Sequence, residues 1–236
     1  LIRQRTELRK DDKLRLRIDK LRLFPIGKAL RKDLMMHLGR WLDGHPMING
    51  RFQVLDACFR TAGTGSLGCR RYVFLVRNRD DPKKHLLVDM KEALPSALQP
   101  WVAIPQPHWI SEAERVVAIQ KRMQNVCPAL LGATLFESQP YVVREMQPMA
   151  DKMDFLLVSH RFKDIACVIG DMAFLTASAQ LRSAGRQGAA LPDDLIVFGQ
   201  DTHWQQAVLD YAMGYAARTK KDYAEFFAAY KAGYFY

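Results

Sequence analysis

The chain has 236 residues, of which 49% are hydrophobic and 25% are charged. These fractions are typical of a globular protein and exclude a wholly disordered or collagen-like chain. Lysine and arginine outnumber aspartate and glutamate by 35 to 25, which gives a formal net charge of +10. Such a charge indicates a nucleic-acid or other polyanion binder, unless it is confined to one segment.

The positive charge is concentrated in the first forty residues, which hold thirteen basic and five acidic side chains, or +8 of the total of +10. The leucine and isoleucine residues between Leu8 and Leu23 fit partly the spacing of a helix and partly the alternation of a strand. We predict a helix there and a second helix near Lys28 to Leu42, separated by Pro25. The favoured interpretation is a basic helical segment over residues 1–48. A nucleic-acid partner is disfavoured because no zinc finger or RNP-like motif accompanies the charge.

The four cysteines form no CxxC pair, and no histidine pair completes a zinc pattern. We therefore predict free thiols in a reducing, cytoplasmic compartment and no metal site made by the chain. No uncharged apolar run reaches membrane-spanning length, and no signal peptide opens the sequence, so no membrane partner is predicted. Because the first residue is Leu1, we expect the chain to be a fragment or a processed product.

A β-rich region follows from Arg51, and it contains a glycine loop. A predicted strand around Phe52 to Phe59 leads into Gly63, Thr64, Gly65, Ser66, Leu67 and Gly68, a full GxGxxG. Strands are predicted again at Arg70–Val76 and Leu86–Lys91. A dinucleotide-binding fold needs a helix after the glycines, and here a strand follows. The order strand, glycines, strand is that of a protein-kinase loop, whose backbone covers nucleotide phosphates.

The kinase interpretation needs a lysine on the next strand and a glutamate on the following helix. Lys91 fits the first requirement. A helix capped by Ser111 and running to about Gln124 carries Glu112 and Glu114 in its first turn, and Glu114 is the candidate partner of Lys91. Each of these features also has a purely structural explanation. The glycines would form a flexible hairpin, Lys91 would protect a strand edge, and Glu112 and Glu114 would interact favourably with the helix dipole.

Two more strands are predicted at Leu131–Phe136 and Tyr141–Met146. The second would connect two lobes, with Arg144 and Glu145 beside the nucleotide base, or it would simply carry an exposed pair at the strand end. Beyond it, a long apolar helix over Phe162–Ser183 is predicted to pack in a lobe core. Helices are also predicted around Leu195–Phe198, Trp204–Ala217 and Asp222–Ala232, with aromatic residues at core spacing.

From about Val54 to its end, the chain resembles a bacterial family, domain of unknown function 2252 (DUF2252). The resemblance rests on the runs Gly63–Gly68, Lys91–Ala93, Glu114–Val117, Leu131–Gly132, Tyr141–Arg144 and Leu181–Gly188, on Ser96, Gln120 and Gln124, and on Trp204, Tyr211–Ala212, Tyr215–Ala216 and Asp222–Tyr223. It implies a distant protein-kinase-like or aminoglycoside-phosphotransferase-like fold, circularly permuted, with ATP and Mg²⁺ as cofactors. Two departures stand out: the family's Asp/His/Asn motifs have no match before Gly63, and Gln180 stands where the family tends to have histidine.

The predicted fold class is therefore α+β and protein-kinase-like. A basic segment over 1–48 would precede a small antiparallel nucleotide-binding β-lobe with one helix over 49–147 and a helical lobe over 148–236. The predicted nucleotide-binding residues are Gly63, Thr64, Gly65, Ser66, Gly68, Lys91, Glu114, Arg144 and Glu145. The predicted function is a kinase-like ATP-binding protein, and a small-molecule phosphotransferase if catalytic residues lie upstream. The alternatives are a non-catalytic pseudokinase or scaffold, and nucleic-acid binding through the basic segment.

Overall fold

The computed structural model describes residues 1–9, 13–48, 50–147 and 153–235. Within them the chain forms two compact units, Leu1–Ser183 and Ala184–Tyr236. The fold is α+β, with antiparallel sheets in the first unit and helices alone in the second. The functional division into segments 1–48, 49–147 and 148–236 stays a prediction.

Before Pro25 the basic segment forms one helical turn and three short strands, so the helix predicted there is wrong. After a single helical turn, α1 (Ile2–Arg5), strands β1 (Thr6–Leu8) and β2 (Leu14–Leu16) pair antiparallel, and β3 (Leu23–Phe24) follows. Asp19 favours a turn before β3, because its carboxylate accepts hydrogen bonds from the backbone N–H groups of Leu21, Arg22 and Leu23. Such side-chain bonds compete with helix formation and favour a turn.

A six-stranded antiparallel sheet is the centre of the first unit. Besides β3, its strands are β4 (Phe52–Arg60), β5 (Arg71–Asn78), β6 (His85–Glu92), β7 (Gly132–Phe136) and β8 (Gln139–Glu145), and these bounds confirm the strands predicted from the alternating pattern. The six strands lie in the order β3-β4-β5-β6-β8-β7. The first three long strands form a meander, and β8 then pairs with β6 across the intervening helix and β7.

One face of the sheet, here called the apolar face, packs against helix α2 (Lys28–Asp43), which confirms the helix predicted near Lys28. Leu34, Leu38 and Leu42 recur at helical spacing on the buried side of α2. They belong to one buried cluster with alternate residues of the central strands: Phe74 and Val76, Val88 and Met90, and Tyr141 and Val143. Period-two alternation therefore turns half of each strand toward α2.

The opposite face, here called the charged face, is apolar at one end only. There Leu16 and Leu23 from the N-terminal strands form a second buried cluster with Cys58, Val73, Leu75, Leu87 and Met146. At the other end, nearer the glycine loop, this face carries ionised side chains instead. The N-terminal segment is thus part of the folded unit, because it covers sheet residues that would otherwise be exposed.

Several arginines of the basic segment are used inside the protein. Arg5 pairs with Asp19 at 3.2 Å, and Arg31 pairs with the buried Asp56 at 2.7 Å. Arg15 donates to the backbone oxygen of Leu55 at 2.6 Å. These bonds connect the segment to itself and to β4, so part of its charge serves the fold.

Helix α3 (Glu112–Met123) begins where it was predicted. Its N-cap is Ser111, whose Oγ accepts the backbone N–H of Glu114 at 3.2 Å. The short α4 (Phe155–Val158) and the long α5 (Phe162–Ser183) complete the first unit, and α5 contacts α3.

The predicted bounds of α5 are confirmed, but its predicted place in a core is wrong. No residue of α5 is buried, and Phe162, Phe174 and Leu175 are largely exposed. The reason is that among the described elements of its own unit the contacts of α5 are mainly with α3 and α4. By length and composition alone, α5 is the one described helix that is long and apolar enough to cross a membrane.

The second unit consists of α6 (Pro192–Gln200) and α7 (His203–Lys231). The two helices predicted on either side of residue 220 are one continuous helix. Ion pairs four residues apart, Arg218 with Asp222 and Lys221 with Glu225, span the expected break and favour helix. The aromatic residues of α7 are exposed rather than packed in a core, and Tyr211 stacks on Tyr215 while Tyr223 stacks on Phe227.

Candidate functional site

The glycine loop joins β4 to β5, as the interpretation as a strand–loop–strand hairpin predicts. Gly63 and Gly68 have φ angles of +57° and +83°, in the left-handed region that glycine adopts without a steric penalty. Between them the chain makes one 3-10 turn, Thr64–Ser66, and the Ser66 hydroxyl donates to the backbone oxygens of Ala62 and Gly63. The side chain of Thr64 lies outside the described part of the structure.

A row of basic residues crosses the charged face beside this loop. Arg71 on β5 lies directly opposite Lys91 on β6, and Arg60 ends the neighbouring strand β4. In the next row, Asp89 lies opposite Arg144 of β8. Like charges in facing positions repel each other, and solvent or a nearby carboxylate can offset this repulsion.

Asp89 supplies one such anion from the protein itself. Its carboxylate accepts from Arg60 at 2.7 Å and, through both oxygens, from Arg71 at 2.7 Å. The carboxylate is almost fully buried, with 3% of the side chain exposed. Burial is also the main cause that lowers the pKa of Arg60 from its ordinary value. One carboxylate thus balances two guanidinium groups.

Lys91 and Arg144 line a cavity of about 420 Å³. Neither forms an ion pair with another residue in the described ranges. Four structural elements contribute to its wall: the glycine loop, β6 with the residues that follow it, α3 and β8. The lining residues are Gly65, Cys69, Lys91, Glu92, Ala93, Leu94, Pro95, Val116, Gln120, Val142 and Arg144. The cavity therefore combines a glycine, two basic side chains that form no ion pair within the described ranges, the Glu92 carboxylate and several apolar residues.

The structure brings together three of the predicted site residues, Gly65, Lys91 and Arg144. Gly63, Ser66 and Gly68 lie in the loop but do not line the cavity. Glu114 is exposed, lies outside the lining and forms no ion pair with Lys91 within the described chain.

The two residues predicted beside the nucleotide base lie apart. Arg144 enters the cavity, whereas the Glu145 carboxylate accepts the backbone N–H of Leu130 at 3.3 Å. The backbone N–H of Met146, the next residue, is used by the oxygen of Leu87 at 2.8 Å. Arg144 therefore belongs to the cavity wall, while Glu145 stabilises the turn before β7.

Sequence reasoning assigned no role in the site to Arg60, Arg71 and Asp89, or to Gln120 on α3. The signal for part of this set is the spacing of Asp89 and Lys91, two residues apart on one strand and hence on one face. The pairing of Arg71 with Lys91 depends on strand register, which spacing alone does not give.

A larger cavity, of about 610 Å³, lies at the outer side of β4 and is lined by residues that include Arg9, Arg15, Arg31 and Asp56. All three arginines already have protein partners: Glu7, the Leu55 oxygen and Asp56 respectively. Volume favours this cavity, but Lys91 and Arg144, which form no ion pair within the described residues, favour the smaller one as the candidate site.

Comparison with known proteins identifies a family for this chain. The sequence profile of an uncharacterized protein family conserved in bacteria, DUF2252, matches residues 1–229. No curated protein and no solved structure matches the chain significantly. The match begins at the first residue, so the expectation that the basic segment lies outside the family region is wrong. Because the profile covers nearly the whole sequence, the chain belongs to the DUF2252 family.

Proposed function

We propose that this chain binds the phosphate groups of a nucleoside triphosphate, ATP with Mg²⁺, in the cavity lined by Lys91 and Arg144. The observation that carries the proposal is the meeting of the glycine loop, Lys91 and Arg144 at one cavity. A phosphate chain would supply the anions that these two side chains lack within the described protein. Lysine offers a compact charge and arginine a planar fork of donors, and both are common phosphate ligands.

The order of elements supports a kinase-like version of this function. The glycine loop joins two paired strands, Lys91 lies on the third strand, and a helix and two further strands follow. Protein kinases use this order, with the glycine-rich loop over the phosphates and the lysine on the third strand of the lobe. Gly63 and Gly68, both at positive φ, would shape such a loop.

Phosphoryl transfer needs more than a phosphate cradle. Kinases use a catalytic Asp, an Asn and a metal-binding Asp. The carboxylate in the cavity wall is Glu92, and it accepts the backbone N–H of Arg70 at 2.8 Å. No group of three His, Cys, Asp or Glu side chains within the described ranges is arranged to hold a metal ion. Mg²⁺ would thus enter with the nucleotide, and this observation favours a second candidate function, a non-catalytic nucleotide-binding module.

The test compares Lys91→Ala with Lys83→Ala, a control at an exposed lysine of the β5–β6 turn. At ligand concentrations about a hundred times Kd, binding should stabilise the native protein by about 2.7 kcal/mol. We expect ATP·Mg²⁺ to raise the Tm of the wild type and of Lys83→Ala, and to leave the Tm of Lys91→Ala nearly unchanged. Equal stabilisation of Lys91→Ala and the wild type would contradict the proposal.

A single-turnover assay then separates the two candidate functions. An enzyme that transfers phosphate to a small molecule, a protein or water should form ADP in a Lys91-dependent way. A non-catalytic module should bind ATP·Mg²⁺ and return it unchanged.

A further inference from the structure

Helix α3 presents a different polar residue to the cavity from the one that the sequence suggests. Ala113 and Val117 are buried, while Val116 and Gln120 line the cavity, so these four residues share one side of the helix. Glu114 lies about 100° around the axis from Ala113 and is exposed. Glu112 pairs with Arg115 at 2.7 Å. Gln120 is thus the polar side chain by which α3 faces Lys91 and Arg144.

The amide of Gln120 makes one hydrogen bond at the end of its helix. Its Nε2 donates to Oε1 of Gln124, the C-cap residue of α3, at 3.0 Å. Its Oε1 has no donor among the described residues and can accept one. One N–H of the amide is therefore used at the helix end, and its oxygen is left for the cavity.

We propose that Gln120, rather than Glu114, is the positioning residue for Lys91 in the phosphate-binding cavity, an inference that rests on the proposed function. The Gln120 oxygen accepts a hydrogen bond from the Lys91 ammonium group when a phosphate is bound, and so fixes the direction of that group. An amide orients the lysine without neutralising it, whereas a carboxylate would cancel one of the two charges. The site therefore keeps the charge of both Lys91 and Arg144 for the ligand.

The experiment measures the Kd for ATP·Mg²⁺ by titration calorimetry at several salt concentrations, on the whole chain. The variants are Gln120→Met, which keeps the length but removes the amide, Gln120→Glu, and the control Glu114→Gln. We expect Gln120→Met to weaken binding about tenfold, the size of a lost hydrogen bond to a charged group. Glu114→Gln should change Kd by less than about twofold.

Salt dependence separates positioning from a merely structural role. Gln120→Met keeps both cations, so the slope of log Kd against log salt should equal that of the wild type. Gln120→Glu adds a negative charge beside Lys91, so its slope should be shallower. The Tm values of the ligand-free variants should agree within about 2 °C, which would show that the substitutions at Gln120 do not destabilise the fold.

Two results would overturn different claims. If Glu114→Gln weakens binding tenfold and Gln120→Met does not, the positioning role belongs to Glu114 and the inference fails, while nucleotide binding stands. If Lys91→Ala binds ATP·Mg²⁺ as tightly as the wild type, the proposed function itself fails.

Discussion

The two faces of the central sheet differ in chemistry although the same strands form both. On the apolar face, Phe74, Val88 and Tyr141 pack under α2 in a single hydrophobic cluster. On the charged face, Arg71, Asp89 and Lys91 occupy the alternate positions of the same strands. The first arrangement stabilises the sheet through burial of apolar area. The second places ionised groups on the sheet surface, where ion pairs and solvent must balance their charge.

This contrast separates the residues that hold the fold from those that would bind a ligand. The ion cluster around Asp89 belongs to the fold, because it pairs Arg60 and Arg71 internally, while Lys91 and Arg144 beside it form no ion pair within the described residues. Three substitutions test the contrast further.

The largest effect is expected from Asp89→Asn on the charged face. The change leaves two largely buried guanidinium groups without their counter-ion, which should lower the free energy of unfolding by about 3–5 kcal/mol. Urea unfolding measures the change. Asp80→Asn is the matched control, because Asp80 pairs with Arg51 at 4.0 Å on the surface and should cost less than about 1 kcal/mol. Similar losses for the two variants would mean that the buried cluster has no special weight.

On the apolar face, Gly132→Ala tests how closely α2 approaches β7. A Cβ at Gly132 would lie 2.6 Å from Cζ2 of Trp41, whose indole N–H donates to the oxygen of Ala133 at 3.2 Å. The ring must move, and the free energy of unfolding should fall by about 1–3 kcal/mol. Gly39→Ala on α2 meets no atom within 4 Å and should instead stabilise the helix by about 0.5–1 kcal/mol. If both variants changed the free energy of unfolding in the same direction, the close approach of Trp41 to Gly132 would be refuted.

The smallest effect concerns the turn that leads into β3, at the edge of the charged face. Hydrogen bonds from the backbone N–H groups of Leu23 and Arg22 lower the pKa of Asp19 from 3.8 to about 2. A carboxyl with a depressed pKa stabilises the fold above its ordinary pKa and loses that contribution as the pH falls toward the folded value. Asp19→Asn should therefore be less stable than the wild type by about 1 kcal/mol near neutral pH.

The pH dependence is the sharper part of this prediction. The difference in free energy of unfolding between the wild type and Asp19→Asn, measured with urea, should shrink as the pH falls from about 4 toward about 2. Only the wild type has a carboxyl group at position 19 to take up a proton in this range. A difference that is constant over this range would show that the hydrogen bonds of Asp19 do not depend on its charge.

Much of the fold could be predicted from local pattern. Alternation and β-branched residues located β4, β5 and β6, and Ser111 marked the start of α3, because these signals depend on neighbours along the chain. The segment before Pro25 failed because its leucines fit both periods, and the turn made by Asp19 decided between them.

The site was predictable only in part. The glycine loop and Lys91 were found by motif and order, but Arg71 and Asp89 join them only through the register of β5 against β6. The choice between Glu114 and Gln120 depends on which side of α3 faces the sheet. Exposure of α5 was missed as well, because an apolar pattern predicts a buried face but does not identify what covers it.

The pairing of β8 with β6 has a consequence for the order of folding. The meander β4-β5-β6 needs only hairpin closures between neighbours, whereas β8 reaches β6 after the chain has passed through α3 and β7. Contacts between distant parts of a chain carry a larger closure entropy and tend to form more slowly. Lys91 would then be set in its strand before Arg144 arrives opposite Asp89. The proposed ATP·Mg²⁺ binding should consequently recover later in refolding than the meander forms, at the time when β8 pairs with β6.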